Sequence, residues 1–71
     1  LLDLRTTPAE KIPYLQAAVA AARALGEKKA EGAHLGNLGA AYYRLGKMEQ
    51  AIAYYQQALA IAREIGDRRG E

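Results

Sequence analysis

Apolar side chains recur along this chain at three- and four-residue spacing, and the recurrence is interrupted at Gly26, Gly46 and Gly66. That spacing is the period of one helix face. Thr7-Pro8-Ala9-Glu10 opens the first run: Thr7 can cap, Pro8 suits the first helical position, and Glu10 completes a capping box. The run predicts a helix to about Leu25, closed by Gly26. Pro13 lies inside it, and its missing N–H leaves the carbonyl of Ala9 unpaired. Either a kink over residues 9–13 or a start delayed to Pro13 is expected. In the lead-in before Pro8, Leu1, Leu2 and Leu4 are candidates for docking on a neighbouring helix.

Glu27-Lys28-Lys29 reads as a connector, and a second helix is expected from about Ala30 to Leu45. Leu35, Leu38, Tyr42 and Leu45, spaced three, four and three, form its apolar stripe. Gly36 and Gly39 each weaken it by roughly 1 kcal/mol against Ala, which a helix tolerates where a neighbour must come close. After Gly46-Lys47 a third helix is expected from Met48 to Ile65, ended by Gly66. Ala51 and Ala58 are small where it must touch Gly39. It carries two apolar stripes: Met48, Ile52, Tyr55, Leu59 and Ala62, and Tyr54, Ala58, Ile61 and Ile65. Two stripes call for two partners, and the preceding helix is only one. The second stripe, Tyr54, Ala58, Ile61 and Ile65, is expected to be exposed and to drive self-association by end-to-end stacking.

The first and third helices align at an offset of forty, with nine identities in the twenty pairs from Ile12–Glu31 against Ile52–Glu71. A fixed period in this range signals a solenoid of helix pairs. Residues 1–7 are then a lead-in, 8–29 the second helix of a degenerate first repeat, 30–66 a complete hairpin, and 67–71 a connector to a further repeat. The fold class expected is all-α, three antiparallel helices with the middle one between two homologous ones. Residues 32–62 resemble a tetratricopeptide repeat, whose pattern of large and small positions falls on Leu35, Leu38, Gly39, Tyr42, Ala51, Tyr55 and Ala58. Leu35 stands for the usual tryptophan and Arg63 for the closing proline, so the second helix should run a turn longer. The forty-residue period and the phrases GNLG and AREIGDRRGE are similar to a longer subclass, found in spindle-orientation adaptors, kinesin light chains and the sensor arrays of bacterial nucleotide-binding signalling ATPases. The lead-in and half-repeat look most like the junction before such an array in a signalling ATPase.

Composition narrows the chemistry. Seventy-one residues make one small domain with a modest core, and no cysteine is present to staple it. The start at Leu rather than Met is that expected of a piece of something longer or a processed product. Ten basic and eight acidic residues are interleaved, so no nucleic-acid field is implied, and no run approaches a membrane span. Ser and Cys are absent, which removes the common nucleophiles, and His34 has only Glu27 and Glu31 at helical spacing, a poor zinc set. Gly36-Asn37-Leu38-Gly39 and Gly46-Lys47 do not fit phosphate-binding loops. No enzyme activity, metal or cofactor is expected. Lys28-Lys29 and Arg68-Arg69 recur at equivalent places, and read as solvated residues at helix C-termini or as a ladder of positive charge that attracts acidic partners.

The face opposite the second helix's apolar stripe is Ala33, Asn37, Ala40 and Arg44, bordered by Tyr43. In stacked helix pairs the first helices line the concave surface. The resemblance implies that this face carries a peptide, with Asn37 where a carboxamide often grips a peptide backbone; Arg44 can pair with a carboxylate. The expected function is a protein–protein interaction scaffold that binds a protein or peptide, an acidic one included, in the cytoplasm. The alternative is a structural or regulatory segment of a bacterial signalling ATPase with no ligand of its own.

Overall fold

A computed structural model describes residues 8–68, with side chains over residues 9–66. Three α-helices follow one another: α1 (Pro8–Leu25), α2 (Lys28–Arg44) and α3 (Met48–Arg68). α2 packs against both of the others, and the backbones of α1 and α3 do not approach each other. The architecture is the all-α helical hairpin expected, with α2 in the middle. The roles considered for Leu1, Leu2, Leu4, Thr7, Arg69 and Glu71 lie outside the described residues.

The two turns are built alike. Gly26 and Gly46 have φ of 72° and 80°, the left-handed region that only glycine enters without strain. The N–H of Gly26 donates to Arg23 O and that of Glu27 to Ala22 O, at 3.1 and 2.9 Å. Gly46 and Lys47 repeat the pattern onto Tyr43 O and Tyr42 O, at 3.0 and 2.9 Å. Both are Schellman closures, which satisfy carbonyls that a helix end would otherwise leave unpaired. Gly66 differs from the expectation. It has no positive φ, and α3 runs past it to Arg68. Glycine permits a left-handed stop without compelling one. At the other end of the chain, the helix begins at Pro8 and carries Pro13 inside it, so the start is not delayed to Pro13.

Lys28 and Lys29 are not connector residues; they form the first turn of α2, and Gly26-Glu27 alone links the helices. A cation in a first turn opposes the helix dipole. Here the charge of Lys28 is answered by Glu31 at 3.9 Å and by Glu64 at 3.7 Å. Glu31 is buried, and the Arg23 Nε–H donates to its carboxylate at 2.7 Å. Arg23 also donates to the side-chain oxygen of Gln57 at 3.2 Å, so one guanidinium ties α1 to both other helices.

The core is formed by Leu15 and Val19 of α1, Leu35 and Leu38 of α2 and Ile61 of α3. Leu35 and Leu38 are each 1% exposed, as their stripe predicts. Tyr42 is half-buried and stacks on Tyr54, ring centroids 5.4 Å apart and planes 10° apart. Leu45 is the exception in that stripe: it sits in the turn after α2 and is largely outside the core.

The expectation for α3 is reversed. Tyr54, Ala58, Ile61 and Ile65 face inward: Ile61 is buried, and the other three pack against the core. They do not form an exposed stripe. The exposed residues are Met48, Ile52, Tyr55 and Leu59. The cause is the flank of α2 on which α3 lies. A Cβ on Gly39 would sit 2.8 Å from the Tyr55 ring, and one on Gly32 would sit 3.2 Å from Ile61 Cγ2. Ala51 is 2% exposed at the same contact. These close approaches rotate α3 so that its Tyr54–Ile65 face closes the core. Gly36 has no such role, since a Cβ there would meet nothing within 4 Å.

Candidate functional site

Asn37, Ala40 and Arg44 lie on one face of α2, spaced three and four residues apart. The structure brings this face against the first half of α1. Together with Glu10, Lys11, Tyr14, Leu15 and Ala41 they line an open cleft of about 620 Å³. Leu15 and Ala41 are buried and make its floor, Ala40 is half-buried, and Asn37 and Arg44 are exposed. Among the described residues, neither Asn37, Arg44 nor Lys11 has a hydrogen-bond or ionic partner. The cleft thus presents a carboxamide, which both donates and accepts, two cations and the carboxylate of Glu10 around an apolar floor.

Two other residues of the expected face stand apart. Ala33 is exposed on the first half of α2 and Tyr43 is exposed near its end, and neither lines the cleft. The residues that α1 contributes were not legible in the α2 pattern. Lys11 and Tyr14 reach the cleft because of how α1 crosses α2, and no spacing within one helix encodes a crossing. The signal available was indirect: Lys11 and Tyr14 lie three apart, which places them on one side of α1.

A second, smaller hollow of about 330 Å³ lies where Gln16, Ala20 and Arg23 of α1 meet Tyr54 and Gln57 of α3, with Val19 and Leu38 beneath. Arg23 is engaged there with Glu31 and Gln57, so its cation is already answered. His34 is half-buried near the start of α2, and its Nδ1 is buried without a hydrogen-bond partner. Among the described residues no three His, Cys, Asp or Glu side chains are grouped to hold a metal ion. No helix in that range is long and apolar enough to cross a membrane.

Matching against family models decides the kinship: the tetratricopeptide repeat model covers residues 9–64. The chain belongs to the tetratricopeptide repeat family. The match takes in α1 from its first turn as well as the α2–α3 hairpin. Comparison with curated proteins and with solved structures found no match. Tetratricopeptide repeats generally serve protein–protein interaction and are typically non-catalytic.

Proposed function

We propose that this tetratricopeptide repeat unit binds an extended, acidic peptide segment of a partner protein in the cleft between α1 and α2. The observation that carries the reading is the pairing of Asn37 and Arg44 with Lys11 across an apolar floor. A peptide backbone needs a group that can donate and accept, which Asn37 supplies. An acidic side chain or terminal carboxylate needs a planar or point cation, which Arg44 and Lys11 supply. The half-buried Ala40 leaves room for the ligand backbone, and Tyr14 offers an amphipathic ring at the rim. Ala33 and Tyr43 extend the same face of α2 beyond the cleft and belong to the proposed surface. Such a face is one segment of an interface, since stable recognition generally buries on the order of 1,200 Å² or more.

The test is fluorescence anisotropy with a set of labelled extended peptides, acidic, neutral and basic. Acidic peptides should bind best. Arg44→Ala should weaken them about tenfold or more, because a hydrogen bond to a charged group contributes about 1.5–3 kcal/mol. Asn37→Ala should weaken all peptides alike. Affinity that ignores peptide charge and survives the Asn37→Ala, Arg44→Ala double substitution would overturn the reading.

A further inference from the structure

The hollow between α1 and α3 shares no residue with the α1–α2 cleft. It is not a face that a following helix pair covers. α1 is followed by a complete hairpin, and Gln16, Ala20 and Arg23 remain exposed on it. Their counterparts forty residues on are the identical Gln56, Ala60 and Arg63, all exposed on α3. Each repeat thus carries the same outward wall. Val19 and Leu38, 6% and 1% exposed, close the floor of the hollow.

The polar groups on its walls have set roles. A guanidinium has only N–H groups to offer, so Arg23 can hold Gln57 by its oxygen alone. That bond, 3.2 Å long, turns the Gln57 N–H2 group away from Arg23. Among the described residues, that N–H2 group and the whole carboxamide of Gln16 on the facing wall have no hydrogen-bond partner. The α3 wall therefore offers donors, and the α1 wall a donor and an acceptor. Tyr54, three residues before Gln57, is held by its stack on Tyr42 and adds an amphipathic ring. Charge is balanced within the protein. Arg23 Nε lies 2.7 Å from the buried Glu31 carboxylate, and Lys28 beyond it is paired with Glu64 at 3.7 Å. An ionic ligand gains little from a cation already answered, and it must give up its own hydration. What remains fits an uncharged group with carbonyl oxygens and N–H groups. The main chain of an extended peptide carries both at each residue.

We propose that this hollow is a further peptide site, which takes an uncharged, extended segment of a partner protein through its main chain. Gln57 and the remaining N–H groups of Arg23 donate to main-chain carbonyls. Gln16 accepts a main-chain N–H and donates to a carbonyl. A small apolar side chain of the segment rests on Val19 and Leu38, where Ala20 leaves room. The volume of about 330 Å³ admits a short stretch, so one such site binds weakly by itself. The two sites of the chain divide by charge: an acidic segment between α1 and α2, an uncharged one between α1 and α3.

The test follows the side-chain amide signals of Gln16 and Gln57 by nuclear magnetic resonance while short blocked peptides are added to the whole chain. The probes are a panel of uncharged peptides, the same panel with one Asp in each, and N-acetylglucosamine as an uncharged ligand that is not a peptide. Uncharged peptides should shift both signals to saturation, with the same affinity at low and high salt. Gln16→Ala should weaken them roughly three- to tenfold, the loss of neutral hydrogen bonding at one side chain. Gln57→Glu is the sharper variant, read at the Gln16 signal. It keeps an oxygen for Arg23 and removes the N–H2 group, so a bracing role alone predicts no loss, while the proposal predicts a loss of at least the same size. Both positions are exposed, so helical circular dichroism should be unchanged. Signals that no uncharged peptide moves, tighter binding of the Asp-bearing peptides at these signals, a response to N-acetylglucosamine alone, or full binding by the Gln57→Glu chain would each overturn the proposal.

Discussion

Gly39 and Gly36 are one turn apart on α2 and do opposite things. The ring of Tyr55 lies where a Cβ on Gly39 would go, 2.8 Å from its nearest carbons. An Ala there gains helix propensity but must push a packed ring aside, and overpacking of this kind costs about 1–3 kcal/mol. Gly39→Ala should therefore lower stability in urea titrations, despite the better helix former. Gly36→Ala meets open space, so it should raise stability by about 0.5–1 kcal/mol. A stabilising Gly39→Ala would show that α3 lies farther from α2 than the structure places it. Glu31 makes a related point about charge. Its carboxylate is buried, but Arg23, its nearest partner, is about half exposed. Removing Glu31 thus strands no buried cation, and the loss should fall below the 3–5 kcal/mol typical of a fully buried pair.

Among the elements, the turns matter as much as the helices. Gly26 and Gly46 close α1 and α2 with the same pair of hydrogen bonds and nearly the same positive φ. Nothing lies within 4 Å of a Cβ built on Gly46, so Gly46→Ala isolates the conformational cost, about 1–2 kcal/mol for a left-handed residue with a side chain. The measured loss should match that figure and be equal at Gly26. The closures at Gly26 and Gly46 were legible in the sequence, because a glycine after a periodic apolar run is local chemistry, although the same signal at Gly66 does not end α3. So were the three helices and the stripe of Leu35 and Leu38. The rotation of α3 was not. Its two stripes have the same spacing, and hydrophobicity does not distinguish them. What decides is where α2 is thin, at Gly32 and Gly39, a property of the contact and not of α3 itself. The same reason limits the candidate site: the α2 half, Asn37 to Arg44, follows from one helix face, while Lys11 and Tyr14 depend on how two helices cross.

Across the whole molecule, α1 and α3 share a repeat yet touch α2 through different faces. α1 uses Leu15, Val19 and Ala22; α3 uses Ile61 together with Tyr54, Ala58 and Ile65. Equivalent positions therefore have unlike fates, as Leu15 is buried and Tyr55 exposed. α2 alone is covered on two sides, so its amides should exchange most slowly and those of α1 and α3 should open first. An exchange profile with α2 least protected would contradict this packing order. The Tyr42–Tyr54 stack gives that order an optical handle. The chain has no Trp and five Tyr, and Tyr14 and Tyr43 are well exposed. The near-ultraviolet signal of fixed aromatic packing then comes chiefly from three rings at the contact of α2 with α3, the stacked Tyr42 and Tyr54 and the Tyr55 ring that rests on Gly39. Without any added label, the chain reports on the closure of its own hairpin, and departure of α1 alone would leave that band in place.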